Sequence, residues 1–141
     1  MSATLLSRSA VHSSLKIPFF LSSISAGFPS PAQDYIEKTL DLNELLIQRP
    51  AATYFLRVEG DSMLEAGIHH DDILIVDRSL TAKHGDIVIA SVQGELTVKQ
   101  LELNPRCRLV PRNPRYQPIL ITEASELEVF GVVTNVIHSV R

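Results

Sequence analysis

The spacing of apolar and polar positions changes once along this chain. Near residues 41–50 it approaches the helical period of about 3.6. Asp41 followed by Glu44 resembles a capping box, Leu42, Leu45 and Leu46 are available for burial, and Pro50 ends the helix. Beyond Pro50 the apolar residues alternate. Residues 54–58, 73–76 and 86–92 read as strands, and Gln93-Gly94 is a two-residue turn into residues 95–101, which predicts a hairpin. Residues 107–110, 119–121 and 127–140 complete the set, with Gly131 a bulge in the last strand. Two prolines and a glycine make residues 27–31 a linker or turn. Regularly spaced short strands with one minor helix predict an all-β sandwich or barrel.

Composition narrows the class. The 141 residues suit one domain with a short appendage, and 45% hydrophobic residues is a globular proportion. With 13 basic and 16 acidic residues the net charge is −3, which argues against a dedicated nucleic-acid binder. Cys107 is the only cysteine and cannot form an internal disulfide, so nothing demands an oxidising compartment. No apolar run approaches the roughly 18 residues of a membrane span. There is no internal repeat, zinc-type Cys/His spacing or glycine-rich phosphate loop.

The charge is unevenly placed. Residues 1–33 contain no Asp or Glu, only Arg8 and Lys16, and the first 27 residues hold eight serines. Three readings are open: a transit peptide, a secretory signal ending at Ile24-Ser25-Ala26 before Gly27, or a flexible arm on a folded body. The signal has a poor apolar core, because residues 17–21 are broken by Pro18.

Two features carry chemistry. Glu59-Gly60-Asp61-Ser62-Met63 follows a strand and suits a tight turn presenting a hydroxyl, although Gly-Asp-Ser alone marks only a turn. Lys99 lies within residues 96–101, where alternation puts Thr97, Lys99 and Leu101 on one face and Leu96, Val98 and Gln100 on the other. A strand lysine is ordinarily solvated. Held in apolar surroundings it loses its proton, and a neutral amine can deprotonate a serine. Such a dyad needs neither metal nor histidine, so His12, His69, His70, His84 and His138 are read as surface residues.

Taken together these residues resemble the UmuD and LexA family of self-cleaving Ser-Lys peptidases. The matching text is Ala26-Gly27, Tyr54-Phe55, the GDSM motif at 60–63, Asp72-Ile73-Leu74-Ile75-Val76-Asp77, His84-Gly85-Asp86-Ile87-Val88, Glu95-Leu96-Thr97-Val98-Lys99 and Phe130-Gly131-Val132-Val133. Asp71 departs from the family, which often has glycine there; aspartate tolerates a left-handed turn, so the fold is expected to survive. The amino-terminal segment has no helical periodicity for a helix-turn-helix domain, so the likeness is to the UmuD branch.

The resemblance implies an all-β peptidase fold of short antiparallel strands with one short helix, behind a flexible amino-terminal arm. It implies three parts: a removable arm over 1–26, a linker and helix over 27–53, and a β-rich Ser-Lys peptidase domain over 54–141. Ser62 would be the nucleophile, Lys99 the general base, Asp61 and Met63 the turn and oxyanion support, and Ala26-Gly27 the bond cut. The implied partners are a RecA filament, a second copy of the chain and a UmuC-type Y-family polymerase in SOS mutagenesis, with no cofactor, metal, membrane or sequence-specific DNA contact. A bacterial, cytoplasmic protein is expected.

Other classes remain open: a polymerase-recruiting module with a vestigial dyad, or a signal-peptidase-like enzyme, which would normally carry a membrane tether. Arg106, Arg108, Arg112 and Arg115 make residues 106–115 locally basic, either a solvated loop or a contact for DNA or polymerase. Cys107 reads as a strand residue with an inward side chain.

Overall fold

The structure, a computed structural model, describes residues 2–8, 15–20, 26–27, 36–122 and 127–141. Its strands are β1 (Ser2–Arg8), β2 (Ile17–Phe20), β3 (Ile36–Leu40), β4 (Thr53–Glu59), β5 (Ile73–Asp77), β6 (Ile87–Val92), β7 (Glu95–Glu102), β8 (Arg108–Val110), β9 (Ile119–Leu120) and β10 (Leu127–Ile137). The helix is α1 (Leu42–Leu46), and short 3-10 turns occupy Pro50–Ala52 and Leu64–Ala66. The chain divides into two units, Val11–Gln48 and the larger Met1–Ala10 with Arg49–Arg141.

The larger unit is one antiparallel sheet in the order β1-β4-β5-β10-β6-β7-β8-β9. Ser2 of β1 also lies opposite Thr97 of β7, which closes the first six strands into a barrel-like ring. This is the all-β architecture expected from the sequence. Alternation divides the apolar residues between two cores. Leu56, Val58, Met63, Ile68, Leu74, Val76, Ile89 and Val98 form one with Ala3, while Val88, Ala90, Leu101, Leu109 and Val132 form the other. Adjacent residues of β6 therefore face different cores, as a period of two requires. Cys107 is partly buried against the second core.

The predicted hairpin joins β6 to β7 from Ile87↔Gln100 to Val92↔Glu95. Its turn residues Gln93 and Gly94 have φ of 51° and 84°, the positive pair that a type I′ turn needs. Asp71 takes φ 70°, so the residue that departs from the family sits in the left-handed region it tolerates. In β10 the register against β6 slips between Val129 and Gly131, so the predicted bulge is present. Phe130 is the extra residue, its ring edge-on to Tyr54 and 4.2 Å from the Arg78 guanidinium.

The smaller unit differs from expectation. The pattern assigns no strand to 17–20 or 36–40, yet β2 and β3 pair, with Pro18 opposite Thr39. A two-stranded ribbon has only edges, where proline is tolerated. Asp41 caps α1 by accepting from the Asn43 N–H at 3.0 Å, but the helix ends at Leu46 and Pro50 instead opens a 3-10 turn. Five residues are too few for a buried stripe, and Leu42 and Leu45 are exposed rather than buried. Within the expected arm, residues 2–8 are strand, while 9–14 (with His12), 21–25 and residues 28–31 of the expected linker lie outside the described residues.

Gly131 is fixed by space. A Cβ there would stand 2.6 Å from Val76 Cγ1 and 3.2 Å from the Asp77 carbonyl oxygen. Gly131→Ala is expected to cost about 1–3 kcal/mol, read as a lower urea midpoint with unchanged slope; an unchanged midpoint would contradict the packing at the bulge.

Candidate active site

β4 ends at Glu59, and Gly60, at φ 93°, turns the chain where a side chain would be strained. The Gly60 N–H donates to His70 Nδ1 at 3.1 Å. Ser62 and Met63 are both fully buried, Met63 anchoring the turn in the first core.

A segment some fifty residues away holds this turn. The Arg112 N–H donates to the Ser62 carbonyl at 2.8 Å, and the Glu65 N–H returns a bond to the Arg112 carbonyl at 2.8 Å. Asn113, buried, donates through Nδ2 to the Asp61 carbonyl at 2.9 Å. The Tyr116 hydroxyl donates to the Asp61 carboxylate, which pushes the phenol pKa up because its loss of a proton would set two anions together. Residues 112–116 therefore brace the turn.

Lys99 arrives from β7. It pairs with Val88, and Val88, Ala90 and Leu101 lie on the same face, all buried. The lysine itself is only 5% exposed. Its Nζ donates to Thr97 Oγ1 at 2.8 Å, to the Val98 carbonyl at 3.2 Å and to Ser62 Oγ at 3.2 Å. Among the described residues no carboxylate forms an ion pair with it. Burial pushes its amine below the ordinary lysine value, because an ammonium there loses hydration.

The structure thus brings Ser62 and Lys99 together, with Asp61 and Met63 supporting the turn. Ala26 and Gly27 lie exposed in a bend of the smaller unit; Ser25 is outside the described residues. An open cleft of about 680 Å³ includes Glu59, Gly60, Thr97, Lys99 and Tyr116 in its lining. The sequence does not mark as site residues Thr97, which alternation does put on the Lys99 face, His70, which bonds Gly60 from ten residues on, or Arg112, Asn113 and Tyr116, whose parts depend on long-range contacts.

A separate cluster could hold a metal ion. Asp72, 2% exposed, accepts from the His69 N–H at 2.7 Å and faces the rings of His69 and His138, whose ligand atoms lie with its own within 4.8 Å. It shares no residue with the Ser62–Lys99 pair.

The buried lysine has a thermodynamic consequence. Between its lowered folded value and the ordinary 10.5, folded Lys99 binds fewer protons than unfolded lysine, so it penalises folding most at low pH and stability rises with pH. The stability of a Ser62→Ala chain relative to the same chain carrying Lys99→Met is expected to increase from pH 7 to pH 10 in urea unfolding. A pH-independent difference would contradict a lowered pKa.

Comparison with known proteins identifies the family. Residues 18–134 match the Peptidase S24-like family. Protein SamA of Salmonella typhimurium is 54% identical over 124 residues, 88% of this chain and 86% of SamA. Protein MucA of Escherichia coli is 52% identical over 128 residues, 90% of this chain and 86% of MucA. LexA repressor 2 of Pseudomonas syringae is 39% identical over 125 residues, 88% of this chain and 61% of the repressor. A fold of antiparallel strands, a buried serine touching a buried lysine, and these matches agree: the chain belongs to the Peptidase S24-like family of serine peptidases and is of the UmuD type within the LexA/UmuD group.

Proposed function

We propose that this protein is a self-cleaving serine peptidase that cuts its own Ala26-Gly27 bond. The observation that carries the reading is the 3.2 Å contact between Lys99 Nζ and Ser62 Oγ, with both residues buried. A protonated lysine can only donate to the serine. A neutral one has a lone pair for the hydroxyl proton. Neutralising an amine of ordinary pKa near 10.4 at pH 7 costs about 4–5 kcal/mol, and burial of Lys99 supplies a shift in that direction.

Neutral Lys99 removes the proton from Ser62 Oγ as the oxygen attacks the Ala26 carbonyl. Main-chain N–H groups of the turn, including that of Ser62, receive the oxyanion. The tetrahedral intermediate collapses, the C–N bond breaks, and Lys99 returns the proton to the Gly27 amine. Water then hydrolyses the acyl-serine ester. Small residues at Ser25, Ala26 and Gly27 let an extended segment enter without clashes, and the tether makes high affinity unnecessary. No cofactor or metal takes part.

On the same reading a RecA filament stimulates cleavage. The trimmed, homodimeric chain then serves as accessory subunit of a UmuC-type Y-family translesion polymerase in SOS mutagenesis. The support is membership of the UmuD type. Trimming removes Arg8 and Lys16 and leaves 11 basic against 16 acidic residues, which favours protein partners over direct DNA binding. No helix among the described residues is long and apolar enough to cross a membrane.

Incubated at pH 7 to 10, the purified protein is expected to yield a 115-residue product beginning at Gly27, faster as pH rises and Lys99 loses its proton. Ser62→Ala and Lys99→Ala should each remain intact. A Gly27-starting product from either variant would overturn the dyad, and no cleavage of the natural chain at any pH, with or without RecA filament, would favour a binding module with a vestigial dyad. Asn113→Ala should slow cleavage about 10–100-fold by loosening the turn, measured by the same mass spectrometry.

A further inference from the structure

A strand has two edges, and those of β4 are both occupied. One pairs with β5 from Thr53↔Asp77 to Arg57↔Ile73. The other pairs with β1 from Ser2↔Glu59 to Arg8↔Tyr54. The β1 edge leads into the turn that carries Ser62, because β4 ends at Glu59 and Gly60-Asp61-Ser62 follows. The start of β1 also lies opposite Thr97, whose hydroxyl accepts from Lys99 Nζ. Glu59 and Thr97 both line the cleft that contains Lys99. β1 thus runs between the two walls through which an extended peptide would reach the serine and lysine.

The strand is anchored by more than main-chain bonds. Ala3 is 8% exposed and belongs to the core formed by Leu56, Val58 and Met63, the last being the neighbour of Ser62. Its small side chain fits opposite Val58 on the face that points into that core. An extended segment adding to an open sheet edge takes affinity from main-chain pairing and specificity from alternate side chains. Both elements are present here, supplied by the chain's own first residues.

We propose that β1 is an internal plug: it fills the strand-binding groove beside Ser62 and Lys99, and it must leave β4 before the segment around Ala26-Gly27 can enter. This rests on the self-cleavage reading above. Two strands cannot share one edge of β4, so cleavage proceeds only from the fraction of molecules in which β1 has detached. If that state is populated at about 10% or less, freeing the groove raises the cleavage rate about tenfold or more. A trigger that favours detachment of β1 would then accelerate cleavage without touching the Ser62–Lys99 pair.

The test uses the full chain, a chain lacking residues 2–8, and Ala3→Asp, which puts a charge into the apolar anchor while keeping full length. Cleavage at pH 10 is expected to be about tenfold faster in both variants, and a synthetic peptide of residues 1–10 should slow the truncated chain again. Amide exchange on the same three chains carrying Ser62→Ala reads the groove without cleavage: amides on the β1 side of β4 should be protected in the full chain and exchange faster in both variants. Equal or slower cleavage in both variants, with protected amides in the β5 and β6 cores, would overturn the plug while leaving self-cleavage standing. β4 amides that exchange equally fast in all three chains would overturn it as well. Failure of every chain to cleave would instead overturn the self-cleavage reading, and the plug's role with it.

Discussion

The burial of one amine is the constraint on which the rest of the site depends. Lys99 sits on a central strand among Val88, Ala90 and Leu101, and among the described residues its amine donates to two hydroxyls and a carbonyl. Such a position disfavours an ammonium unless a carboxylate compensates, and none among the described residues does so. The fold tolerates the cost because Lys99 is flanked by residues that fill both cores. Burial has two opposed effects at this residue: the environment that pushes the amine pKa down also makes lysine a poor core residue at neutral pH.

The serine is handled differently. Ser62 lies on a turn, and turns are where backbone mobility concentrates. Here Met63 pins the turn from below, while Arg112, Asn113 and Tyr116 hold its main chain and the Asp61 carboxylate from another part of the chain. Ser62 is therefore as firmly located as Lys99 on its strand. A contact of 3.2 Å between two side chains 37 residues apart needs both supports.

Most of the barrel was legible because its strands are half-buried and alternate. β5, β6, β7 and β10 fall within a few residues of the ranges read from the pattern, and the Gln93-Gly94 turn and the Gly131 bulge carry their own local chemistry. Ser62 and Lys99 were legible because the motif is ordered and the strand face is fixed. The parts that escaped share a cause. β1 (Ser-Ala-Thr-Leu-Leu-Ser-Arg) has no clean alternation and exists by pairing with β4, about fifty residues on. Asn113 and Tyr116 sit in a stretch notable for arginines, and nothing local says that they reach Asp61. Leu42 and Leu45 were expected to be buried by a pattern that a five-residue helix is too short to use.

The most direct test of this account is the protonation of Lys99 itself. In a Ser62→Ala chain, which cannot cleave, the Lys99 side chain can be followed by NMR through the carbon shift beside Nζ as pH is raised. Lys99 is expected to titrate below the ordinary lysine value of 10.5, because burial disfavours its ammonium. A Lys99 resonance that titrates at the ordinary lysine value of 10.5 or above would contradict a neutral lysine as the base for Ser62.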